Sequence, residues 1–370
     1  MNLSNRYSVP LSLLLVFGFL ADPASSDPLP GRDILKFSQL PMDGTAISVD
    51  IPGGAVTTGL FYGHDEFSTA YATGDTGSGE TNPVYTGFFM ADDFADRFAS
   101  PVVHVKWWGS YLENNIQQSV DKFLISFEAD VPDPDEPHEG PGFSRPGEPL
   151  LNQIVTRAPA AVGLFPGSGT YTEKPISPGG APLFEDLYEY NAELHLDKEF
   201  FQEPDTVYWL KIVALVDVPE GIDPFQTPTA VTRWGWHNRD YTIPNPLAST
   251  PPAVVPGEHL DNPLVDPAYP APVYHFQDNS VTGEVIIDAQ ENFIMPDVFQ
   301  NEATMKPNFY LDGIDGFGPD SPAGSTHGGI GQFSKDLAFE LYTIPEPTTF
   351  GLLVLGLTVA LVRTRGNSIY

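Results

Sequence analysis

Two acidic stretches carry the side chains best suited to holding a cation. Asp92 and Asp93 stand side by side before Phe94, where a strand is expected to begin. Adjacent carboxylates at a strand edge can supply several of the oxygens that Ca²⁺ requires. A solvated turn with one Asp bonding its own backbone uses the same residues. The second stretch runs Asp312-Gly313-Ile314-Asp315-Gly316-Phe317-Gly318-Pro319-Asp320. It offers Asp312 and Asp315 as ligands, but lacks the alternating acids and terminal Glu of an EF-hand, and a plain turn cluster fits it as well. The aromatic residues point to different chemistry. Trp234 and Trp236 fall on one face of an expected strand, followed by His237, Asn238, Arg239 and Asp240, and Trp108 alternates with Trp107. Tryptophan rings beside amide, guanidinium and carboxylate groups can stack and hydrogen-bond a sugar, and the same rings can instead fill a sandwich core.

Catalytic arrangements are poor. The eight histidines are scattered, with neither a His-Glu-x-x-His nor a His-x-His pair. There is no Gly-x-Ser-x-Gly elbow and no phosphate-cradling glycine loop. The absence of cysteine removes thiolate catalysis, thiolate metal sites and disulfides. Paired acids for glycoside hydrolysis depend on a separation that only the fold sets.

The elements that must position these groups read as strands. Residues 103–108 alternate Val103, Val105 and Trp107 against His104, Lys106 and Trp108, and residues 122–128 place Phe123, Ile125 and Phe127 together. Residues 207–216 are apolar on both faces apart from Lys211, the pattern of a strand buried on two sides. Residues 233–237, 337–343 and 188–196 complete the set, the last read as strand over short helix. Loops rich in Pro, Gly and Asp separate them. Residues 74–83 and 131–149 read as loops, and residues 243–272 as a proline-rich arm. The expected fold is all-β, a jelly-roll-like sandwich with long Pro/Gly-rich loops. Because the strand at 337–343 finds its best partners before residue 243, one body spanning residues 27–343 with an insertion near 243–272 is expected.

Composition bounds the partners. Of 370 residues, 17 are basic and 49 acidic, giving a formal charge of −32. Such a surface repels nucleic acid and anionic lipid and attracts cations and basic partners. With 25 Phe, 15 Tyr and 5 Trp the chain has ample apolar area to fold, while 34 Gly and 38 Pro disfavour long helices.

Both ends read as processing segments. Arg6 precedes an apolar stretch at residues 9–20, and Ala24-Ser25-Ser26 offers small residues before Asp27, as at a signal-peptidase site. Residues 1–26 are therefore expected to be a signal peptide. Near the other end come Pro345-Glu346-Pro347, an apolar run, then Arg363 and Arg365. The prolines force any helix to start after them. A helix at 348–362 is shorter than the roughly 20 residues of a comfortable span, with its basic end suited to the cytoplasmic side.

This tail resembles the PEP-CTERM sorting signal: a Pro-Glu-Pro triplet, a short apolar helix and a basic end. The resemblance covers residues 344–365 and implies recognition by exosortase, a membrane-embedded transpeptidase. The extension after only two arginines departs from the pattern. The body carries, in order, Ala91-Asp92-Asp93-Phe94, Trp107-Trp108-Gly109-Ser110-Tyr111, Ser144-Arg145-Pro146-Gly147-Glu148, Tyr208-Trp209-Leu210 and Trp234-Gly235-Trp236-His237. It resembles an uncharacterised β-sandwich domain of exported bacterial proteins, one that brings no assigned activity.

These readings define an expectation. The protein is a non-enzymatic surface or extracellular-matrix protein of a Gram-negative-type bacterium, held transiently in the inner membrane by its tail, with polysaccharide as the candidate ligand. No cofactor is required, Ca²⁺ excepted at the acidic stretches. A polysaccharide-acting enzyme and a Ca²⁺-dependent adhesion module stand as alternatives.

Overall fold

The computed structural model describes residues 33–41, 45–51, 55–61, 63, 65–72, 84–96, 99–112, 119–131, 144–159, 162–177, 186–195, 198–204, 206–239, 280–289, 294–307 and 336–344. The expected signal peptide, the sorting tail, the proline-rich arm at 243–272, the loop at 74–83 and the Asp312/Asp315 stretch lie outside the described residues.

Those residues form an all-β protein. In chain order the strands are β1 (Ile34–Gln39), β2 (Thr45–Ile51), β3 (Ala55–Phe61), β4 (Asp65–Phe67), β5 (Thr69–Ala72), β6 (Val84–Phe94), β7 (His104–Tyr111), β8 (Lys122–Val131), β9 (Arg145–Arg157), β10 (Ser168–Ser177), β11 (Leu187–His195), β12 (Tyr208–Val216), β13 (Trp234–His237), β14 (Val281–Asp288), β15 (Asp297–Pro307) and β16 (Phe339–Thr343). β2 and β3 form a separate hairpin, and the rest build one 14-stranded mixed sheet. Its path runs β1-β16-β7-β11-β10-β9-β8-β12-β5-β6-β14-β15, with β13 joining β7 to β4. Two pairings are parallel, β9 with β10 and β5 with β12.

The long sheet folds back over itself. Trp107 on β7 meets Phe123 on β8 at 5.3 Å between ring centroids, although three strands separate them along the ladder. Phe94 on β6 likewise meets Phe339 on β16 at 6.3 Å and Phe37 on β1 at 5.9 Å. The inner core is thus sandwich-like, between a leaf of β1, β16, β7 and β11 and a leaf of β8, β12 and β6. The edge strands β1 and β15 do not pair with each other, so the sheet is not closed.

Strand periodicity explains how both faces of the second leaf are filled. All nine residues of β12 are buried. Leu210, Ile212 and Ala214 face the inner core, while Trp209, Val213 and Leu215 face a second core covered by β14 and β15. Alternation of side chains makes this possible only for a strand apolar on both sides. One expected loop is corrected. Residues 145–149 belong to β9, where Pro149 and Pro146 lie opposite Glu128 and Asp130 at irregularities of the β8 ladder. A bulge is where a sheet accepts a residue that cannot donate a backbone bond.

Candidate functional site

The four residues read as a sugar platform are all placed out of a ligand's reach. Trp234 and Trp236 do share a face of β13, but it is the inner one, and both are fully buried. Their Nε1 groups donate to Tyr190 Oη at 3.1 Å and to the Ala338 carbonyl at 2.9 Å. Trp108 points to the opposite face from Trp107, yet is covered by Leu187 and Ala338. His237 is 3% exposed, with Nδ1 at 3.0 Å from Asp65 Oδ1. A ring must have a bare face to stack a sugar, and these have none.

The Asp92/Asp93 pair is also corrected. The two residues end β6 instead of opening a strand, and they sit inside the ladder opposite Leu210 and Trp209. Consecutive strand residues point to opposite faces, so the two carboxyls cannot converge on one ion. Both are fully buried. Asp92 Oδ2 accepts the Leu337 backbone N–H at 2.8 Å. With its amide turned to satisfy its neighbours, Gln39 donates to the same oxygen at 3.2 Å. Nearby, Arg239 Nε donates to Asp336 Oδ2 at 2.6 Å. This is a polar knot joining β6 to the chain just before β16.

Burial pushes the Asp92 carboxyl well above the usual carboxylate range, and the Asp336 charge pushes the same way, against the pull of Leu337 N–H and Arg239. A carboxyl raised in the folded state binds its proton more tightly folded than unfolded. Its contribution to stability is therefore full below the unfolded value near 3.8 and declines as pH rises toward the folded value. Asp92→Asn keeps an oxygen for Leu337 N–H and removes that decline. The melting temperature of the variant relative to wild type should therefore rise between about pH 4 and pH 7. A difference independent of pH would show that Asp92 holds no proton there.

The densest polar constellation lies on the outer face of the first leaf. His104 and Lys106 on β7, Glu189, Asn191 and Glu193 on β11, and Glu340 and Tyr342 on β16 alternate with the inner-core residues of the same strands. Register sets them in rows: Asn191 opposite Lys106, Glu193 opposite His104, and Tyr342 opposite His104 from the other side. Lys106 Nζ reaches Glu189 at 3.0 Å and Glu340 at 3.6 Å, and lies 4.9 Å from the Trp108 ring centre. Tyr342 Oη donates to Glu340 Oε2 at 2.5 Å, and Ser38 Oγ to Glu340 Oε1 at 3.0 Å. His104 is fully buried at one end of this face, with Nδ1 at 3.0 Å from Glu193 Oε1 and 3.9 Å from Asp33 Oδ2. Its Nε2 faces Asn191 Oδ1 at 3.1 Å. Among the described residues, Asp33, His104 and Glu193 form the group whose donor atoms, all within 4.8 Å of one another, could hold a metal ion.

The site lay partly in view. The alternation of His104, Lys106 and Trp108 is visible in the sequence, as is that of Glu189, Asn191 and Glu193. That the two rows face each other is a matter of register between strands far apart in the chain.

Fold and site together define an all-β protein, a folded-over mixed sheet with aromatic cores and a polar network buried on one outer face. The chain belongs to DUF7901, a domain of unknown function whose family model matches residues 60–277. The matched segment contains β4–β13. Strands β1 and β16 lie outside it, yet supply Phe37, Phe339 and Leu341 to the inner core. No curated protein and no solved structure matches the chain.

Proposed function

We propose that this is an exported, non-enzymatic surface or extracellular-matrix protein of a Gram-negative-type bacterium. It enters the secretory route by residues 1–26, pauses in the inner membrane by the helix at 348–362, and is processed at its PEP-CTERM-like tail by an exosortase-like transpeptidase. Its body is a jelly-roll-like sandwich that works as a structural module among extracellular polysaccharide.

One observation supports this reading most directly. β1 and β16 are antiparallel neighbours, with Ile34 opposite Thr343. The chain thus enters the sheet shortly after the expected signal-peptide cut, and leaves it two residues before Pro345, at the same end of the same strand pair. A body tethered through either segment presents that one end to the membrane and its remaining surface outward. The strongly acidic composition keeps such a body soluble and clear of anionic lipid.

The sorting step is tested by replacing Pro345, Glu346 and Pro347 together with alanine in the producing cell. The variant should accumulate in the inner-membrane fraction and be lost from the surface. Unchanged surface display would sink the proposal.

A further inference from the structure

We propose that Asp33, His104 and Glu193 form a binding site for one divalent transition-metal ion of the Zn²⁺ class, which clamps the residue ahead of β1 onto the sheet.

The donor set and spacing fit such an ion. Ligand atoms about 2.1 Å from a tetrahedral metal lie roughly 3.4 Å from one another. The separations from His104 Nδ1 to Glu193 Oε1 and Asp33 Oδ2, 3.0 and 3.9 Å, bracket that value. One imidazole nitrogen with two carboxylate oxygens suits Zn²⁺ and its neighbours, whereas Ca²⁺ takes six to eight oxygens.

The tautomer of His104 points to a cation independently of that spacing. Asn191 Nδ2 donates to Glu189 Oε1 at 3.1 Å, which turns Asn191 Oδ1 toward His104 Nε2. An amide oxygen only accepts, so Nε2 carries the ring proton. In the neutral ring the lone pair of Nδ1 is then directed at two carboxylates. Acceptor facing acceptors calls for a cation or a proton between them, and a metal ion is the cation this donor set suits. Asn191, itself held by Glu189, is the outer partner that commonly fixes the tautomer and orientation of a metal-bound histidine. The ring is further held edge-on against Tyr342, 5.3 Å between centroids. The alternative source of charge is a second proton on His104, which would make the group an ion-paired imidazolium with no metal.

Position gives the site its consequence. Asp33 immediately precedes β1, His104 opens β7, and Glu193 stands near the end of β11. Tyr342, opposite His104, adjoins the last residue of β16. An ion here ties the residue ahead of β1 to β7 and β11 at the end of the sheet where Ile34 and Thr343 meet. It would stabilise the folded chain by mass action.

The test uses the full chain, stripped with chelator and titrated with Zn²⁺, with Co²⁺ as a coloured probe and Ca²⁺ as the comparison. One equivalent of Zn²⁺ should bind, the melting temperature should rise by several degrees, and Co²⁺ should develop visible absorption bands. His104→Gln should abolish all three effects, and Asp33→Asn should weaken Zn²⁺ binding at least tenfold. If His104→Gln fails to fold, Asp33→Asn decides, because it alters only the residue ahead of the first strand. Three outcomes would overturn the proposal: no Zn²⁺ uptake by wild type, uptake unaffected by Asp33→Asn, or Ca²⁺ binding as tightly as Zn²⁺.

Discussion

Trp234→Ala is expected to destabilise the protein by about 3–5 kcal/mol, the range for truncating a large aromatic in a packed core. That corresponds to a fall in melting temperature on the order of 10 °C for a domain of this size. The contacts of the ring set that cost. Trp234 is fully buried, edge-on to Phe123 at 4.9 Å and to Tyr190 at 5.8 Å between centroids. The strand beneath has been left without a side chain to make room, since a Cβ added at Gly109 would come within 2.4 Å of the Trp234 ring. Losing the indole therefore opens a cavity bounded by rigid rings and strand backbone, which cannot collapse to fill it. It also strands the Tyr190 hydroxyl, whose pKa burial already pushes well above the ordinary tyrosine value. Trp234→Phe keeps most of the volume and loses the Nε1 bond and part of the ring, so it should cost less, about 1–2 kcal/mol. Thermal unfolding of both variants checks this. A Trp234→Ala protein melting with wild type would restore the exposed stacking platform that its placement argues against.

The tryptophans show what the sequence could convey. Alternation tells which residues share a face, and Trp234 with Trp236 do. It does not tell which face is inside when both faces of a sheet are covered, as for the leaf of β8, β12 and β6. The continuous apolar run of β12 was legible as a doubly buried strand because it has almost no polar side. By contrast β14 and β15 carried a weaker signal, since Ile286 falls on the outward face of β14 with Glu284 and blurs its alternation, and β15 is largely polar. The Asp92-Asp93 pair looked like a solvated turn because acids usually are. Only partners far along the chain, the Leu337 N–H on one side and Arg239 behind it, make a buried carboxyl tolerable there. His104 was hidden for the same reason. Its neighbours Asp33 and Glu193 are brought to it by sheet register, which no local window contains.

Lys211 carries the second large effect. It was legible as the lone charge in an apolar strand, but not its partner. Its side chain and that of Glu128 are fully buried, 2.5 Å apart across β12 and β8. Lys211 Nζ also donates to Gln300 on β15 and lies 4.1 Å from the Phe89 ring centre. Gln300 in turn donates to the Gly147 carbonyl of β9 at 2.6 Å, so one lysine coordinates four strands. Burial lowers the Lys211 pKa, with the Glu128 charge opposing that shift. Taking two charges out of water costs nearly as much as their attraction returns, whereas removing one leaves the other buried without its counter-charge. Lys211→Ala should therefore destabilise by about 3–5 kcal/mol, and the double change Lys211→Met with Glu128→Leu should fall near wild type or above it. Chemical denaturation of Lys211→Met, Glu128→Leu and their double, beside wild type, forms a cycle whose coupling isolates the pair. A double variant as unstable as Lys211→Ala would mean that the lysine's bond to Gln300, and with it the attachment of β15, matters more than the charge pair.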